Sequence, residues 1–135
     1  AKAQELAEQL GGLFPQTRVE VLSDDERLIE ALLQAQGLVN ATPVGMHVHP
    51  GMPLSESALN AGVLREGLWV ADVIYLPQQT QLVRAARAAG CEVLTGGYMA
   101  VGQAVDAFRL FTGLEPNAER MAAHFEALIA AQQGA

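Results

Sequence analysis

Residues 68–75 read Leu-Trp-Val-Ala-Asp-Val-Ile-Tyr, and this run decides the class of the fold. It is too uniformly apolar for a strand with one face in water, so it predicts a central strand of a parallel sheet that is buried on both faces. Asp72 interrupts the run. Buried carboxylates of this kind are held by backbone amides or by a neighbouring base, and we therefore expect Asp72 to be structural.

Shorter apolar strands and amphipathic helices alternate on both sides of this run. The predicted strands are residues 18–22, residues 38–39 with an end at Asn40, and residues 91–94. The predicted helices are residues 1–10 ended by Gly11 and Gly12, 23–36 with its N-cap at Ser23, a short helix capped by Ser55, 79–89 closed by Gly90, 98–112 opened by Gly96 and Gly97, and 117–131. This alternation with short connections predicts an α/β fold with a doubly wound parallel sheet and helices on both faces.

The composition narrows the class of protein. A chain of 135 residues can bury one core of ordinary domain size. Its net charge of -7 repels nucleic-acid phosphates and anionic lipids, so neither partner is expected. The apolar run is much shorter than the ~20 residues that a membrane helix needs. A lone cysteine, Cys91, fits a reducing compartment, and we expect the cytoplasm.

The chain also begins as if within a fold. Residues 1–10 read as the middle of an amphipathic helix, and the first residue is Ala1. We therefore expect an element that precedes this helix to lie outside the sequence, which would make the sheet incomplete at the amino terminus.

Ligands of such sheets bind beyond the carboxyl ends of the strands. At the first of these ends, residues 40–46 read Asn-Ala-Thr-Pro-Val-Gly-Met. Small polar side chains and a glycine let backbone approach a planar or phosphorylated ligand, which suits a nucleotide. The alternative is an ordinary loop in which Asn40 and Thr42 satisfy backbone groups, and composition alone favours it.

Two further polar side chains follow later strand ends. The hydroxyl of Tyr75 would lie at the crevice, or Tyr75 would be a core tyrosine with its hydroxyl bonded at the sheet edge. Gln103 shares a helical face with Met99 and could reach a hydroxylated ligand. Spacing alone favours a surface glutamine instead.

Metal binding and nucleophilic catalysis find little support. His47 and His49 have no third ligand at a recognisable spacing, and zinc sites need three or four. Neither His124 nor Cys91 belongs to a nucleophile pattern. The sequence contains no G-x-G-x-x-G loop. We therefore predict no metal site and no catalytic residue.

Three segments together carry a family resemblance. They are Asn-Ala-Thr-x-x-Gly-Met at 40–46, Asp-x-x-Tyr-x-Pro at 72–77 and Gly-x-x-Met-x-x-x-Gln at 96–103. In this order they resemble the cofactor domain of the shikimate/quinate dehydrogenase family, from residue 38 to the carboxyl terminus. Residues 96–113 are most similar to the quinate/shikimate branch.

The resemblance implies a fold, a cofactor and a set of contacts. Residues 1–135 would be the carboxyl-terminal portion of a Rossmann-like domain that binds NAD or NADP, with closing helices 98–112 and 117–131 and without the amino-terminal substrate domain. Tyr75 and Gln103 would face shikimate or quinate, and Lys2 would lie near the adenosine ribose. The residues implied around the nicotinamide are Asn40, Thr42, Pro43, Val44, Gly45, Met46, Val73 and Gly96.

The implied activity is hydride transfer that interconverts shikimate or quinate and its 3-dehydro ketone. The family's catalytic Lys and Asp and its phosphate loop belong to the part before the segments seen here, so the fragment alone is expected to be inactive. Two departures from the family pattern are Thr95, where many relatives have Asp, and a longer loop at residues 47–51. The alternative is a non-catalytic Rossmann-type module for nucleotide sensing or interaction.

Overall fold

A computed structural model describes residues 2–133, with side-chain surroundings given for residues 2–131. Ala1, where the predicted first helix starts, lies outside the described residues. The elements in chain order are α1 (Lys2–Leu13), α2 (Asp25–Gln34), β1 (Gly37–Asn40), α3 (Glu56–Asn60), β2 (Trp69–Asp72), α4 (Gln81–Ala88), β3 (Glu92–Thr95), α5 (Gly96–Thr112) and α6 (Ala118–Gln133).

The strands form one parallel sheet in the order β1-β2-β3. The apolar run thus supplies the central strand, as predicted, and the α/β class is confirmed. Across the sheet Asn40 pairs with Asp72, and Asp72 pairs with Thr95. Because the three strands end at the same level, the segments that follow them start from one edge.

The core lies against one face of this sheet. Val70 of β2 packs there with Leu82 and Ala86 of α4 and with Leu32 of α2. Burying a leucine side chain contributes about 1.5–3 kcal/mol, so these contacts hold α2 and α4 to the sheet. On the opposite face Val39 is 52% and Leu94 47% exposed, which leaves that face less covered.

One predicted strand does not form. Residues 18–22 carry no strand assignment and pair with no strand among the residues that the structure describes. Apolar, β-branched side chains favour extended backbone, but a strand exists only where a neighbouring strand completes its hydrogen-bond ladder.

Several predicted helix ends are also corrected. Gly11 and Gly12 do not end α1, which continues to Leu13, because glycine costs only ~1 kcal/mol inside a helix and does not forbid one. The N-cap of α2 is Asp24, whose carboxylate accepts from Arg27 N at 2.8 Å, rather than Ser23. This helix ends at Gln34 because the cap residue Ala35 is already extended.

Two helix-end residues agree with the sequence, whereas α4 runs 81–88 rather than 79–89. Ser55 caps α3, and Gly90 follows α4 in the left-handed conformation at φ +77°. The closing helices run 96–112 and 118–133 rather than 98–112 and 117–131. Within residues 2–133 we find no helix that has both the length and the apolar character to cross a membrane.

Candidate functional site

Two strand ends approach each other closely at Gly96. A Cβ added to Gly96 would lie 2.6 Å from the carbonyl oxygen of Ile74, a separation that no real side chain tolerates. Val73 N in turn donates to Asn40 O at 3.1 Å. The backbone segments after β1, β2 and β3 therefore meet at one edge of the sheet.

Asn40 organises the loop that follows β1. It is 3% exposed, and its Nδ2 donates to Val44 O and to Asp72 Oδ1, each at 3.1 Å. Its Oδ1 accepts from Thr42 N at 3.2 Å and from Thr42 Oγ1 at 2.7 Å. The Asn40 side chain thus forms its hydrogen bonds with other protein groups. This agrees with the alternative interpretation of residues 40–46 as an ordinary loop in which Asn40 satisfies backbone groups.

Asp72 is fully buried and holds the ends of two elements together. Besides Asn40, it accepts from Ile74 N at 3.1 Å and from Thr80 Oγ1 at 2.6 Å. The Thr80 hydroxyl also accepts from Val83 N at 3.1 Å, which caps α4. Asp72 therefore has the structural role that was predicted, with an amide, a hydroxyl and a backbone N–H as its donors.

Consecutive turns fix the rest of the loop. Met46 N donates to Pro43 O at 3.1 Å, and His49 N donates to Met46 O at 3.0 Å. Gly45, at φ +115°, lies so close to Ile74 that an added Cβ would be 3.1 Å from its Cδ1. Glycine is needed there because a side chain would strain the backbone as well as crowd Ile74.

A cleft of about 420 Å³ opens at this edge. Its walls are mainly apolar, and its polar side chains are Thr42, His47 and Tyr75. Val73 and Tyr75 are 41% and 52% exposed, so both are accessible from the cleft. The lining residues are Ala41, Thr42, Pro43, Met46, His47, Val48, Val73, Ile74, Tyr75 and Leu76.

The structure places five of the eleven predicted contact residues in one cleft. Thr42, Pro43, Met46, Val73 and Tyr75 share the cleft. Four further members of the set hold the backbone of its wall: Asn40 and Gly45 fix the loop, Val44 O accepts the Asn40 amide, and Gly96 packs against the Val73–Ile74 backbone.

Two predicted contacts lie elsewhere. Gln103 is exposed on α5 and is not among the cleft residues. Lys2 is exposed on α1, a helix in which no described residue is buried. Both roles stay predictions.

His47 and Val48 belong to the longer loop at residues 47–51 and line the cleft, although neither was predicted as a contact residue. The sequence signal that could have identified them is their position directly after the glycine-containing loop at residues 40–46. The turn at residues 46–49 then places them at the same edge of the sheet. No cluster of three or more His, Cys, Asp or Glu side chains suited to a metal ion occurs in the part of the chain that the structure describes.

A bidentate ion pair lies at the carboxyl end of α5. Arg109 Nε and Nη2 donate to Glu115 at 2.8 and 2.6 Å. These hydrogen bonds lower the pKa of Glu115 and raise the pKa of Arg109. Both side chains are exposed, so the pair has a local role at the turn after α5.

The parallel sheet, its helices and the cleft at the strand ends define a Rossmann-like α/β domain. Sequence comparison then shows which proteins this chain resembles. The model of the shikimate 5'-dehydrogenase C-terminal domain matches residues 98–124. The shikimate dehydrogenase (NADP(+)) of Arthrobacter sp. is 53% identical over 133 residues, or 98% of this chain and 43% of that protein. The quinate/shikimate dehydrogenase (NAD(+)) of Corynebacterium efficiens is 48% identical over 95% of this chain and 43% of its own length.

Solved structures agree with this result. The quinate dehydrogenase of Corynebacterium glutamicum, in complex with NAD, superposes with a TM-score of 0.75 and 45% identity, over 93% of this chain and 43% of that one. A shikimate 5-dehydrogenase of Listeria monocytogenes, in complex with shikimate and NAD, gives a TM-score of 0.74 at 28% identity, over 89% and 41%. This chain is similar to the carboxyl-terminal part of shikimate/quinate dehydrogenases, and it spans less than half the length of these curated relatives.

Proposed function

We propose that this chain acts as the carboxyl-terminal, cofactor-binding part of a dehydrogenase that interconverts shikimate or quinate and its 3-dehydro ketone by hydride transfer to or from NAD or NADP. One observation supports the proposal most strongly. The three motifs at 40–46, 72–77 and 96–103 begin at strand ends that are paired in register, and residues of the first two motifs line one cleft. Relatives are named for NADP and for NAD, so both cofactors remain in the proposal.

The cleft suits the nicotinamide half of such a cofactor. Its 420 Å³ lies within the range of ligand pockets, roughly 300–1,000 Å³. Pro43, Met46 and Val73 offer apolar surface to a flat ring, and Thr42 adds a hydroxyl at the same wall. Once bound, the cofactor supplies the hydride acceptor or donor.

In this proposal the chain positions the reactants. Packing of Pro43, Met46 and Val73 on the ring would exclude water from one of its faces, while Asn40, Val44, Gly45 and Gly96 hold the backbone that forms the wall. Holding two reactants in a productive geometry removes a large entropic part of the barrier. Lys2 is proposed to contact the adenosine end.

The substrate side is proposed to include two residues. Tyr75, 52% exposed at the cleft, can exchange hydrogen bonds with a hydroxyl or carboxylate of the substrate. Gln103 belongs to the same motif-based set and would reach the substrate only in the complete enzyme. By "complete enzyme" we mean this chain joined to the amino-terminal part of such a dehydrogenase, which carries the catalytic Lys and Asp. We propose the cytoplasm as its location.

The test is reconstitution of activity. This chain is fused to the remaining amino-terminal part of the Arthrobacter shikimate dehydrogenase, and reduction of NAD and of NADP is followed with shikimate and with quinate. We expect turnover by the fusion and none by the 135-residue chain alone, because acid–base catalysis is worth ~10²–10⁴-fold.

Circular dichroism and a cooperative thermal transition establish that the fusion is folded. A folded fusion without turnover on either substrate would contradict the proposal. If that fusion still bound NAD or NADP, the non-catalytic nucleotide-binding module would be the better account.

A further inference from the structure

A second cavity, of about 150 Å³, opens at the amino-terminal end of α5, where α4 and α6 also contribute to its walls. It shares no lining residue with the 420 Å³ cleft, so it is a separate feature of the molecule. Its polar lining includes the side chains of Gln78, Arg87, Thr95 and Glu126. Pockets for organic ligands measure roughly 300–1,000 Å³, and the smaller size of this cavity suits a small ion.

Thr95 presents an unused hydroxyl to this cavity. The residue is 7% exposed, and as the N-cap of α5 it makes no side-chain cap hydrogen bond. Its hydroxyl bonds to no other residue that the structure describes. Every fully buried side-chain N or O atom in the described part of the chain has a partner, so the Thr95 hydroxyl reaches the open space of the cavity. A nearly buried polar group without a protein partner is normally satisfied by a water or an ion.

The start of α5 lies at the same wall. The first backbone N–H groups of a helix have no partner within the helix, and the helix dipole concentrates partial positive charge there. No acidic side chain occupies the first turn of α5. A Cβ added to Gly97 would lie 3.5 Å from Gln78 Nε2, so the bare backbone of this turn is close to the Gln78 amide. N–H groups in this arrangement bind anions.

Arg87 and Glu126 supply the opposite charges of the cavity. Arg87 Nη1 donates to Gln79 Oε1 at 3.0 Å, which leaves the N–H groups of Nε and Nη2 for a ligand. Glu126 makes no ion pair with a described residue, and a carboxylate only accepts hydrogen bonds. A matching ligand is therefore an anion with several acceptor oxygens and one O–H group that it can donate to Glu126.

We propose that this cavity binds inorganic phosphate. Near neutral pH phosphate is an anion that keeps at least one O–H group, which donates to Glu126. Its other oxygens accept from Arg87, from the Thr95 hydroxyl and from the first N–H groups of α5. Sulfate has a similar shape and charge but no proton to donate, so the Glu126 carboxylate repels it. The site does not depend on the proposed function, because it lies outside the cleft.

The test is a titration of the 135-residue chain with sodium phosphate and with sodium sulfate, at pH 7 and constant ionic strength. Two-dimensional NMR spectra of the backbone amides report the binding. We expect phosphate to shift the signals of Gly97 and Tyr98 to saturation, and to bind about tenfold more tightly than sulfate. The complete enzyme is titrated in parallel by calorimetry without NAD or NADP, so the result does not depend on the chain folding alone.

Four variants assign the binding to this cavity. Arg87→Gln should weaken phosphate binding about tenfold or more, and Thr95→Val about three- to tenfold. Glu126→Gln should remove the preference for phosphate over sulfate, because an amide can donate to either anion. Arg84→Gln is the matched control, since Arg84 also lies on α4 and donates to Gln79 but does not line the cavity. Its affinity for phosphate should stay within about twofold of the parent value.

Three results would each overturn the proposal. The first is a phosphate titration that leaves the signals of Gly97 and Tyr98 unchanged. The second is sulfate binding as tight as phosphate binding in the unsubstituted chain. The third is equal phosphate affinity in folded Arg87→Gln and Arg84→Gln variants, with folding established by circular dichroism.

Discussion

The Asn40 side-chain amide donates to the buried Asp72 carboxylate at 3.1 Å and so ties the end of β1 to the end of β2. The same amide also fixes Val44 O in the loop. Strand pairing and loop shape at the cleft thus depend on one contact between residues that are far apart in the sequence.

Asn40→Asp should destabilise the fold at neutral pH. It places a second carboxylate beside Asp72 in a buried setting, where one of two neighbouring acids must bind a proton. We expect the free energy of unfolding in urea to fall by about 3 kcal/mol or more. The loss should shrink at low pH, where the introduced acid is neutral. A variant as stable as the parent at pH 7 would show that the Asn40–Asp72 contact is unimportant.

Gly96→Ala should prevent the strand ends from meeting. Its Cβ would lie 2.6 Å from Ile74 O, and overpacking against backbone costs about 1–3 kcal/mol or more. Gly102→Ala is the matched control, since its added Cβ would have no neighbour within 4 Å outside its own stretch of helix. It should stabilise α5 by about 0.5–1 kcal/mol. The measurement compares the thermal unfolding midpoints of both variants with that of the parent. Equal midpoints for the two variants would contradict the close approach at Gly96.

Glu115→Gln should lower stability at neutral pH and leave it unchanged in acid. Hydrogen bonds from Arg109 lower the pKa of Glu115 in the folded state. A carboxyl whose pKa is lowered on folding stabilises the fold above its unfolded pKa, and the contribution is lost as the pH falls through the folded value. The difference in thermal midpoint between Glu115→Gln and the parent should therefore be present at pH 7 and shrink as the pH falls below the ordinary glutamate pKa, about 4.3, through the lower pKa of the folded state.

Glu30→Gln serves as the control for this pH dependence, because Glu30 makes no ion pair with a described residue. Its midpoint should follow that of the parent at every pH. A Glu115→Gln difference that stayed constant with pH would contradict the ion pair with Arg109.

Tyr75→Phe removes the hydroxyl and keeps the ring. In the complete enzyme we expect the KM of shikimate or quinate to rise about three- to tenfold, while the KM of the cofactor stays within twofold. Tyr98→Phe is the control, since Tyr98 is exposed on α5 and lines a different cavity. Steady-state kinetics with one reactant varied at a time will separate the two KM values. A cofactor KM that rose as much as the substrate KM would remove Tyr75 from the substrate side.

Structural features that depend on local sequence pattern were predictable. The apolar run at 68–75 was sufficient to predict the central strand, and Ser55 was sufficient to mark the start of α3. Residues 18–22 also have a strand-like pattern, but a pattern cannot show whether a partner strand is present.

Features that depend on distant contacts were not predictable in the same way. The full engagement of Asn40 requires Asp72, which is remote in the sequence. The position of His47 at the cleft follows from the backbone hydrogen bonds that His49 makes with Gly45 and Met46, and no pattern of side chains predicts them. Gln103 is the opposite case. Its motif suggests a substrate contact, but Gln103 does not line the cleft formed by the described residues.

The most direct test of the account is a variant that fills the cleft. Val73→Trp in the complete enzyme should project a large ring from the end of β2 into the space proposed for nicotinamide, while the partly exposed position of Val73 allows the chain to fold. We predict an unchanged thermal midpoint and a fall of about a hundredfold or more in kcat/KM for the cofactor, a loss of ~2.7 kcal/mol of transition-state stabilisation. A folded Val73→Trp enzyme that turned over NAD or NADP like its parent would contradict the claim that this cleft holds the nicotinamide.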